Sequence, residues 1–538
     1  MAFLTNIVGF CKKSAIAKLG KSDTYNMYVE SKDVNENGFS IALKPMPGYE
    51  KVCDVEGKPQ GLYRCSRSFN GKPAVYGVWG RKLYLITPSN TPYLIGSIAG
   101  SGRVQFCETS GYGKNNPHLV LCDGTNVYCV DTTLSYAQQA EYFKKHSPIK
   151  LPYTYPDSKT EIIKPSWIAY LYGYLLVGAE GTDIFYRSYQ YPFEDRDPQT
   201  DAINYDIFCV DETSENTEGV RDGFGHGYFT MSEWQPDNTI VGCSNGSRLF
   251  TFGERSFQVF AYQNSKENPF VSPDTASQSI GIKTKDSLAV FGNSVFWLGS
   301  AEMGGNTIFM MDGGANPVRI STDEIEEQIA SFDKSVVRAF VMRRGNHNFY
   351  VISFPINNIT FAYDVRENGW IRLGSFDNEN GERAFRYSNA TTSPDDDIWM
   401  QGDGVLVMAS ENKIVDGRTK FAKWTEHDGT PITRKRVGGI ISSDYNRFKV
   451  NKIEVVTNNG DYPLIKGESV KVNMRYSKDG STFKSIATRR LGRAGEYGAD
   501  CVFRSLGIAS YLIVELSCSD NVPFALFGLH VDATKTNG

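Results

Sequence analysis

Short apolar runs on either side of a tight turn recur along the chain. In the clearest copy, apolar residues 119–122 and 127–130 flank the turn from Asp123 to Asn126. Turn residues of this kind accept a positive φ or bond their own backbone, and apolar, β-branched and aromatic flanks suit a half-buried pleated surface. The pattern predicts a β-hairpin.

Variants of this hairpin recur along most of the chain. Their turn glycines follow one another at broadly similar intervals and lie at Gly80, Gly124, Gly173, Gly246, Gly292, Gly345 and Gly404. A unit of roughly 40–50 residues is the length of one four-stranded propeller blade. The spacing predicts an all-β fold with a β-propeller of six or seven blades. An all-β protein with turns at ordinary spacing is the alternative.

The hairpin pattern changes near both ends of the chain, which predicts three regions. Residues 1–60 do not resemble a blade and are expected to form an N-terminal arm or lead-in. Residues 61–430 carry the hairpins and are expected to form the propeller. Residues 431–538 contain strands at wider spacing, which is typical of a separate C-terminal β-sandwich.

Two segments interrupt the β pattern. A capping box at 321–324, followed by Ile325 and Ile329 on one face, is the one clear helix signal. A long acidic run is expected to be a solvated face and contains Glu194, Asp195, Asp197, Asp201, Asp206, Asp211, Glu212, Glu215 and Glu218.

Composition narrows the class of protein. The chain of 538 residues is 40% hydrophobic and 22% charged, which is typical of a globular protein. Its formal net charge of −4 gives no global basic field to recruit nucleic acid. Its 10 cysteines form no C-x-x-C pair and are expected to be buried free thiols of a protein made in a reducing compartment. No signal peptide or membrane-spanning segment is expected.

The usual catalytic and metal-binding patterns are missing from the sequence. The six histidines are far apart, and none belongs to an H-E-x-x-H motif. The stretch from Ser477 to Phe483 is similar to the Asp-box turn of sialidase-type propellers, but it is one residue short and occurs once, so hairpin chemistry explains it. We therefore expect no catalytic residues, no cofactor, no metal and no enzymatic activity.

Two basic clusters are the remaining candidate sites. The stretch Arg434-Lys435-Arg436 lies at the junction of the two predicted domains, and the densest positive cluster contains Arg489, Arg490, Arg493 and Arg504. A solvated sandwich face with intramolecular acid partners is one interpretation. A contact with phosphate or with a negatively charged partner is the other. We treat all seven residues as candidate contacts with another subunit or an adaptor.

The order of several motifs resembles one known family over about residues 25–532, namely the tail hub, or nozzle, proteins of short-tailed bacteriophages. These proteins are often labelled packaged-DNA stabilisation proteins. The motifs that carry the resemblance are Leu43 to Tyr49, Gly61 to Arg64, Ile98 to Val104, Cys122 to Thr125, Glu180 to Tyr186, Phe252 to Ser256, Asn293 to Gly299, Arg319 to Thr322, Asp428 to Arg434, Arg475 to Ser477, Leu491 to Tyr497 and Ser505 to Gly507. Residues before Tyr25 depart from the family pattern.

The resemblance implies a structural virion tail protein, made in the cytoplasm of the bacterial host. It implies a homo-oligomeric, six-fold ring below the portal and its adaptor, and a lumen through which the duplex DNA genome passes. A tail needle or plug and tail fibres or spikes are the other implied partners, without membrane insertion. Two alternatives stay open: a propeller-fold glycan hydrolase or glycan-binding tail component, and a scaffold propeller that binds peptides.

Overall fold

The computed structural model describes residues 2–5, 7–13, 21–31, 41–110, 117–149, 152–154, 160–162, 164–188, 195–196, 203–204, 229–232, 234–235, 237–265, 268–273, 277–300, 305–313, 316–377, 381–415, 418–442, 446–462 and 469–536. Regular structure in these ranges is mainly β, with two α-helices, α1 (Tyr136–His146) and α2 (Asp323–Ala330). The predicted all-β fold class is confirmed.

Six short strands open the chain. They are β1 (Ala2–Thr5), β2 (Lys12–Lys13), β3 (Lys21–Tyr25), β4 (Met27–Ser31), β5 (Ile41–Pro45) and β6 (Tyr49–Asp54). Strand β2 pairs with β3 and strand β4 pairs with β5, whereas β1 and β6 pair only with strands near the other end of the chain.

Sheets of three to five strands then follow one another along the chain and form the blades of a propeller. The first blade contains β7 (Pro59–Cys65), β8 (Ala74–Trp79), β9 (Lys82–Ile86) and β10 (Pro92–Ser97). The second contains β11 (Gln105–Glu108), β12 (His118–Cys122) and β13 (Val127–Asp131), and a separate hairpin of β14 (Pro152–Thr154) and β15 (Thr160–Ile162) follows. The third contains β16 (Pro165–Leu171), β17 (Tyr174–Ala179), β18 (Ile184–Arg187) and β21 (Phe229–Met231). A separate hairpin of β19 (Asp195–Arg196) and β20 (Ile203–Asn204) comes between β18 and β21 in the chain.

Four more sheets continue the series. The fourth blade contains β22 (Thr239–Asn245), β23 (Arg248–Gly253), β24 (Phe257–Tyr262) and β25 (Phe270–Val271). The fifth contains β26 (Gly281–Ile282), β27 (Ala289–Phe291), β28 (Ser294–Ser300), β29 (Ile308–Asp312) and β30 (Val318–Arg319). The sixth contains β31 (Arg338–Arg344), β32 (His347–Phe354), β33 (Ile359–Asp364) and β34 (Gly369–Leu373), and the hairpin of β35 (Ser375–Asp377) and β36 (Gly381–Arg383) follows. The seventh contains β37 (Asn389–Thr392), β38 (Ile398–Gly402) and β39 (Val405–Ala409), and the hairpin of β40 (Lys413–Val415) and β41 (Arg418–Lys420) ends the series.

The N-terminal strand β6 completes the seventh blade and closes the ring. It pairs antiparallel with β39, with Tyr49 opposite Ala409. Side chains also join the seventh blade to the first, because Trp79 Nε1 donates to the carbonyl of Gly402 at 3.1 Å. Buried apolar clusters fill the spaces between neighbouring blades around the whole ring.

The seven predicted hairpins are present as antiparallel strand pairs, and the structure explains their uneven spacing. The turns at Gly80, Gly124 and Gly404 join the second strand of a blade to the third. The turns at Gly173, Gly246 and Gly345 join the first strand to the second, and the turn at Gly292 joins β27 to β28 in the fifth blade. The longest interval, from Gly173 to Gly246, arises because the segment 189–228 lies between two strands of the third blade.

Both ends of the chain build a two-sheet sandwich. Its C-terminal strands are β42 (Arg434–Ser442), β43 (Phe448–Thr457), β44 (Lys471–Ser477), β45 (Lys484–Arg490), β46 (Val502–Ala509), β47 (Tyr511–Cys518) and β48 (Leu526–Lys535). One sheet has the order β4-β5-β48-β43-β46, with β1 added on β48, and the other has the order β3-β42-β47-β44-β45. A single apolar core fills the space between them.

The second sheet of the sandwich continues into the propeller. Strand β34, at the outer edge of the sixth blade, pairs in parallel with β3 at Arg372 and Tyr25. The N-terminal region thus differs from the separate arm expected from the sequence. We propose that residues 2–45 belong with residues 434–535 in the sandwich, and that residues 49–420 form the propeller.

Helix prediction succeeded at one position and failed at another. Helix α2 begins after Thr322, one residue later than the capping box suggested, and Ser321 Oγ donates to Glu326 Oε1 at 2.6 Å. Helix α1 was missed, although Ser135 and Gln138 form a capping box at its N-terminus. Its weak apolar periodicity concealed it, because it buries only Gln139 and Phe143.

The described cysteines are free thiols, and all but Cys107 are buried. Burial raises the pKa of Cys53 to about 11 and that of Cys65 and Cys243 to about 12. Because the thiolate is the reactive form, we expect iodoacetamide at pH 8 to label these three residues slowly in the folded protein and completely in urea. Peptide mass spectrometry measures this difference, and rapid labelling of Cys65 without denaturant would contradict it.

Candidate functional site

The seven basic residues predicted as candidate contacts fall into two groups. Arg434, Lys435 and Arg436 begin strand β42 beside the propeller, whereas Arg489, Arg490, Arg493 and Arg504 lie at the far edge of the sandwich. Strands β47 and β44 separate β42 from β45 in the sheet, which corresponds to roughly 14 Å. The two groups therefore lie in different parts of the sandwich.

Arg434 and Arg436 are buried, so their side chains are not on the surface of the chain where the predicted contact would need them. Arg434 donates from Nη1 to the carbonyl of Asp520 at 2.8 Å and from Nη2 to the carbonyl of Trp424 at 2.6 Å. Arg436 donates from Nε to the carbonyl of Ile7 at 2.6 Å. Burial lowers the pKa of each guanidinium to about 10. Both arginines tie loops and the N-terminal segment to the sandwich.

Lys435 belongs to a charge cluster at the joint between propeller and sandwich. Arg372 donates from Nη1 to Asp23 Oδ2 at 2.9 Å and from Nη2 to Glu382 Oε2 at 2.7 Å, and Lys435 pairs with the same glutamate. Both cations lie over the ring of Tyr25, at 5.3 and 5.4 Å from its centroid. Burial by itself would raise the pKa of Glu382, but the charges of Arg372 and Lys435 outweigh it and lower this pKa.

Sequence reasoning missed this charge cluster. Its members come from the N-terminal strand β3, the sixth blade, the following hairpin and the start of β42, so up to 349 residues separate the two partners of one hydrogen bond. No local spacing connects such residues. The only available signal was that Arg434-Lys435-Arg436 begins an apolar strand, where charged residues need partners if they are buried.

The second group forms an exposed surface, here named the basic edge and consisting of Arg489, Arg490, Arg493 and Arg504. These side chains are exposed, and Arg489 reaches across to β46, where its Nε donates to the carbonyl of Val502 at 3.0 Å. Within the described part of the chain, no carboxylate forms an ion pair with any of the four arginines. The intramolecular acid partners of the alternative interpretation are therefore not found there.

Neighbouring residues increase the positive charge of the basic edge. The exposed Lys471 lies opposite Arg490 across the strand pair, and Tyr497 is 73% exposed in the loop between β45 and β46. The nearby Glu496 accepts a hydrogen bond from the backbone N–H of Arg493 at 2.7 Å rather than pairing with a guanidinium. Cations and an exposed aromatic ring are typical of a contact surface for an anionic partner.

The acidic run suggested as a partner for these arginines falls mostly outside the described residues. Asp195, in strand β19, is its only member within the described ranges.

A polar cleft of about 1100 Å³ lies between the propeller and the second sheet of the sandwich. Its carboxylates are held by cations: Asp428 pairs with Arg386 at 2.8 Å, and Glu515 pairs with Arg475 at 3.1 Å. The pKa of Asp428 lies below its ordinary value because hydrogen bonds from Thr430 and Arg386 outweigh the effect of burial. A glycosidase needs one carboxyl group that stays protonated, which these ion pairs disfavour.

The Asp-box-like stretch is a turn between β44 and β45. Asp479 Oδ1 accepts hydrogen bonds from the backbone N–H groups of Ser481 at 2.9 Å and Thr482 at 2.7 Å. These bonds lower the pKa of Asp479. The geometry confirms the interpretation of this stretch as hairpin chemistry.

The axis of the propeller contains a cavity of about 530 Å³, and residues from the innermost strands of all seven blades line it. Arg103 and Asp286 lie at one end, where Arg103 Nη1 donates to the carbonyl of Asp286 at 2.8 Å and so connects the second blade to the fifth. A cavity of this volume holds a drug-sized molecule. It does not pass a DNA duplex, whose major groove alone is about 12 Å wide.

The described residues contain neither a metal-binding cluster nor a membrane-spanning helix. No group of three or more histidine, cysteine, aspartate or glutamate side chains is placed to hold a metal ion there. No helix in these ranges is both long and apolar enough to cross a lipid bilayer.

An all-β protein whose propeller is joined to a sandwich is thus the class that the fold defines. Residues 225–404 match the model of a family described as "Bacteriophage P22 Gp10, beta-propeller". The match begins before the fourth blade and ends at the central turn of the seventh. It confirms the resemblance to phage tail proteins and supports a structural role in DNA stabilisation. Comparison with curated protein sequences gives no match.

Solved structures with a similar fold have very different sequences. One is the extracellular domain of a hybrid two-component system from B. thetaiotaomicron, with 9% identity and a TM-score of 0.37, and the match covers 69% of this chain but only 40% of that one. The Neurospora crassa Pan2 WD40 domain has 8% identity and a TM-score of 0.29, covering 73% of this chain and 90% of that one. Similarities this low do not bear on function.

Proposed function

We propose that this protein is a structural subunit of a bacteriophage tail that assembles as a ring below the portal and its adaptor. In this role it extends the DNA channel, retains the packaged genome and conducts it during ejection, while a needle or plug closes the exit. The match of residues 225–404 to the P22 Gp10 family is the observation that carries the proposal.

The size of the axial cavity supports a lumen built by several copies. At about 530 Å³, the cavity of one propeller is too small for duplex DNA, so a subunit that conducts DNA must share the channel wall with other subunits. A net charge of −4 also disfavours a wall that grips the DNA through many phosphate contacts. Retention then depends on the narrowness of the ring and on its plug.

The basic edge is our proposed contact with a neighbouring subunit or with the adaptor. Guanidinium groups bind carboxylates in a fixed, two-pronged geometry, and those of the basic edge form no ion pair within the described part of the chain. Docking against an acidic surface would neutralise them. The buried Arg434 and Arg436 are not part of this proposed contact. Lys435 belongs instead to the charge cluster at the joint between propeller and sandwich.

Replacing two residues of the basic edge tests the proposed contact. We expect Arg489→Ala with Arg490→Ala to weaken ring assembly or adaptor attachment about tenfold or more. Each substitution removes a guanidinium group that would pair with an acidic group of the partner. The affinity of the purified subunit for duplex DNA should barely change. Mass photometry measures assembly, and fluorescence anisotropy at several salt concentrations measures DNA binding on the same preparation.

A matched variant controls for the loss of two positive charges. Arg67 and Lys72 are exposed on the first blade, and Arg67→Ala with Lys72→Ala makes the same change of charge far from the sandwich. This control should assemble like the original protein. If the basic-edge variant assembles normally but loses its salt-dependent DNA binding, the arginines line the channel and the proposed contact is wrong.

A further inference from the structure

One end of the axial cavity gathers more positive than negative charge. Arg103 and Lys285 line the cavity there, and Arg338 lies close to Arg103. Asp286 lies near Arg103 and Arg338, and Asp403 lies near Arg338, but within the described part of the chain no carboxylate forms an ion pair with any of the three cations. At neutral pH, the three cations and two carboxylates carry a net charge of about +1.

The available hydrogen bonds leave part of these cations free to bind a ligand. Arg103 uses one N–H for the carbonyl of Asp286, and a guanidinium has five donors. Arg338 donates to Ser388 Oγ. Burial lowers the pKa of both guanidinium groups, and an anion placed between them would oppose that effect.

Lys285 completes the group from the fifth blade. A Cβ atom built on Gly124, in the second blade, would lie 3.3 Å from Lys285 Nζ, so this ammonium group reaches across toward the blade that carries Arg103. Two blades that are not neighbours in the ring thus present cations to the same end of one cavity.

Beyond these cations, the cavity wall combines polar groups with apolar side chains. Val104, Ile168, Val241, Leu288 and Phe340 line it, each from a different blade. A concave, largely apolar pocket of roughly 300–1,000 Å³ with a few convergent polar groups is the usual form of a small-molecule site. The volume of about 530 Å³ lies within that range.

We propose that this end of the propeller cavity binds a small organic anion. Its carboxylate or phosphate group contacts Arg103 and Lys285, and its apolar part lies against the channel wall. This site is separate from the basic edge and does not depend on the proposed tail function.

Aromatic anions of simple structure serve as probes for the full-length protein. We expect phenyl phosphate or benzoate to bind in isothermal titration calorimetry, and to bind about tenfold or more tightly than phenol, which lacks the charge. Inorganic phosphate, which lacks the apolar part, should also bind more weakly. Tighter binding of phenyl phosphate than of benzoate would identify a phosphate site, and the reverse order would identify a carboxylate site.

Substitutions on the two cations locate the site. Arg103→Gln and Lys285→Gln should each weaken binding of the better probe about tenfold or more. Lys285 is exposed, so its variant keeps the fold even if Arg103→Gln does not. Arg255→Gln is the matched control, since Arg255 is exposed in the fourth blade and does not line the cavity, and this variant should bind normally.

Three results would overturn the proposal. One is the absence of saturable binding of both aromatic anions at millimolar concentration. Another is binding that Lys285→Gln leaves unchanged. The third is an equal loss of affinity in Lys285→Gln and Arg255→Gln, which would reflect general electrostatic attraction instead of a defined site.

Discussion

Arg372→Met should lower the free energy of unfolding by about 3 kcal/mol, because it removes the nearest cation of the buried Asp23 and one of the two cations that pair with Glu382. The side chains of Arg372 and Asp23 are each 11% exposed, and that of Glu382 is 31% exposed. Methionine keeps most of the buried volume, so the loss reports the charges rather than a cavity. Urea unfolding at pH 7, followed by tryptophan fluorescence, measures the change in midpoint.

An exposed arginine with the same type of pairing provides the control. Arg319 pairs with both Asp323 and Glu326 on helix α2, but its side chain is 47% exposed. Exposed pairs contribute about 0–1 kcal/mol, so Arg319→Met should have little effect. Equal losses in the two variants would show that the joint between propeller and sandwich does not depend on the charge cluster.

The effect of Arg372→Met should also depend on pH. The pKa of Glu382 is lowered in the folded protein because Arg372 and Lys435 outweigh its burial. A carboxyl group with a lowered pKa contributes stability that is present above its unfolded pKa of about 4.3 and is lost as the pH falls through the folded pKa. The difference between the original protein and the variant should therefore shrink below about pH 4.

Local sequence patterns predicted the blades because each hairpin is a local structure. Gly80, Gly246 and Gly404 have a positive φ in tight turns, and their neighbours have the turn chemistry and apolar alternation of paired strands. Their number and spacing indicated a propeller of six or seven blades. The seventh blade could not be fully predicted, because its outer strand, Tyr49–Asp54, comes from the N-terminal part of the chain, before the first blade.

The sandwich shows the same limit of prediction from local sequence patterns. Its strongest C-terminal strands, such as Tyr511–Cys518, were predicted from their apolar runs. The sequence pattern predicted an arm at the N-terminus. In the structure, the N-terminal strands β1 and β3 join the two sheets by pairing with strands from the opposite end of the chain. Which strands pair across such long sequence separations depends on how well they bury a shared core. A local sequence pattern carries no information about that.

For the candidate site, the sequence identified which residues form positive clusters but not which of these residues are buried. Arg434 and Arg489 look alike in sequence, as members of basic clusters beside apolar strands. Arg434 is buried, and neighbouring carbonyl groups accept hydrogen bonds from its Nη1 and Nη2, whereas Arg489 lies on an edge strand open to solvent. The identity of those neighbours depends on the tertiary fold, so the sequence could not separate the buried arginines from the exposed ones.

The packing of Trp167 between two blades gives the other large expected effect. Its indole ring is fully buried against two glycines that have no side chains to displace it. A Cβ atom on Gly178 would lie 1.9 Å from Trp167 Nε1, and one on Gly242 would lie 2.6 Å from the opposite part of the ring. These glycines, on β17 and on the first strand of the next blade, form the slot that holds the ring.

We expect Gly178→Ala to destabilise the protein by about 3 kcal/mol, since the tightly packed ring has no space to move into. Gly102→Ala is the control, because a Cβ there meets no atom within 4 Å and its backbone is not left-handed. Its effect should stay within about 0.5 kcal/mol. Urea unfolding measures both variants. Trp167→Leu alone and Trp167→Leu combined with Gly178→Ala complete a double-mutant cycle. Leucine shortens the side chain and relieves the clash, so the alanine should cost less beside it. If Gly178→Ala is equally costly in both backgrounds, the indole ring is not the cause.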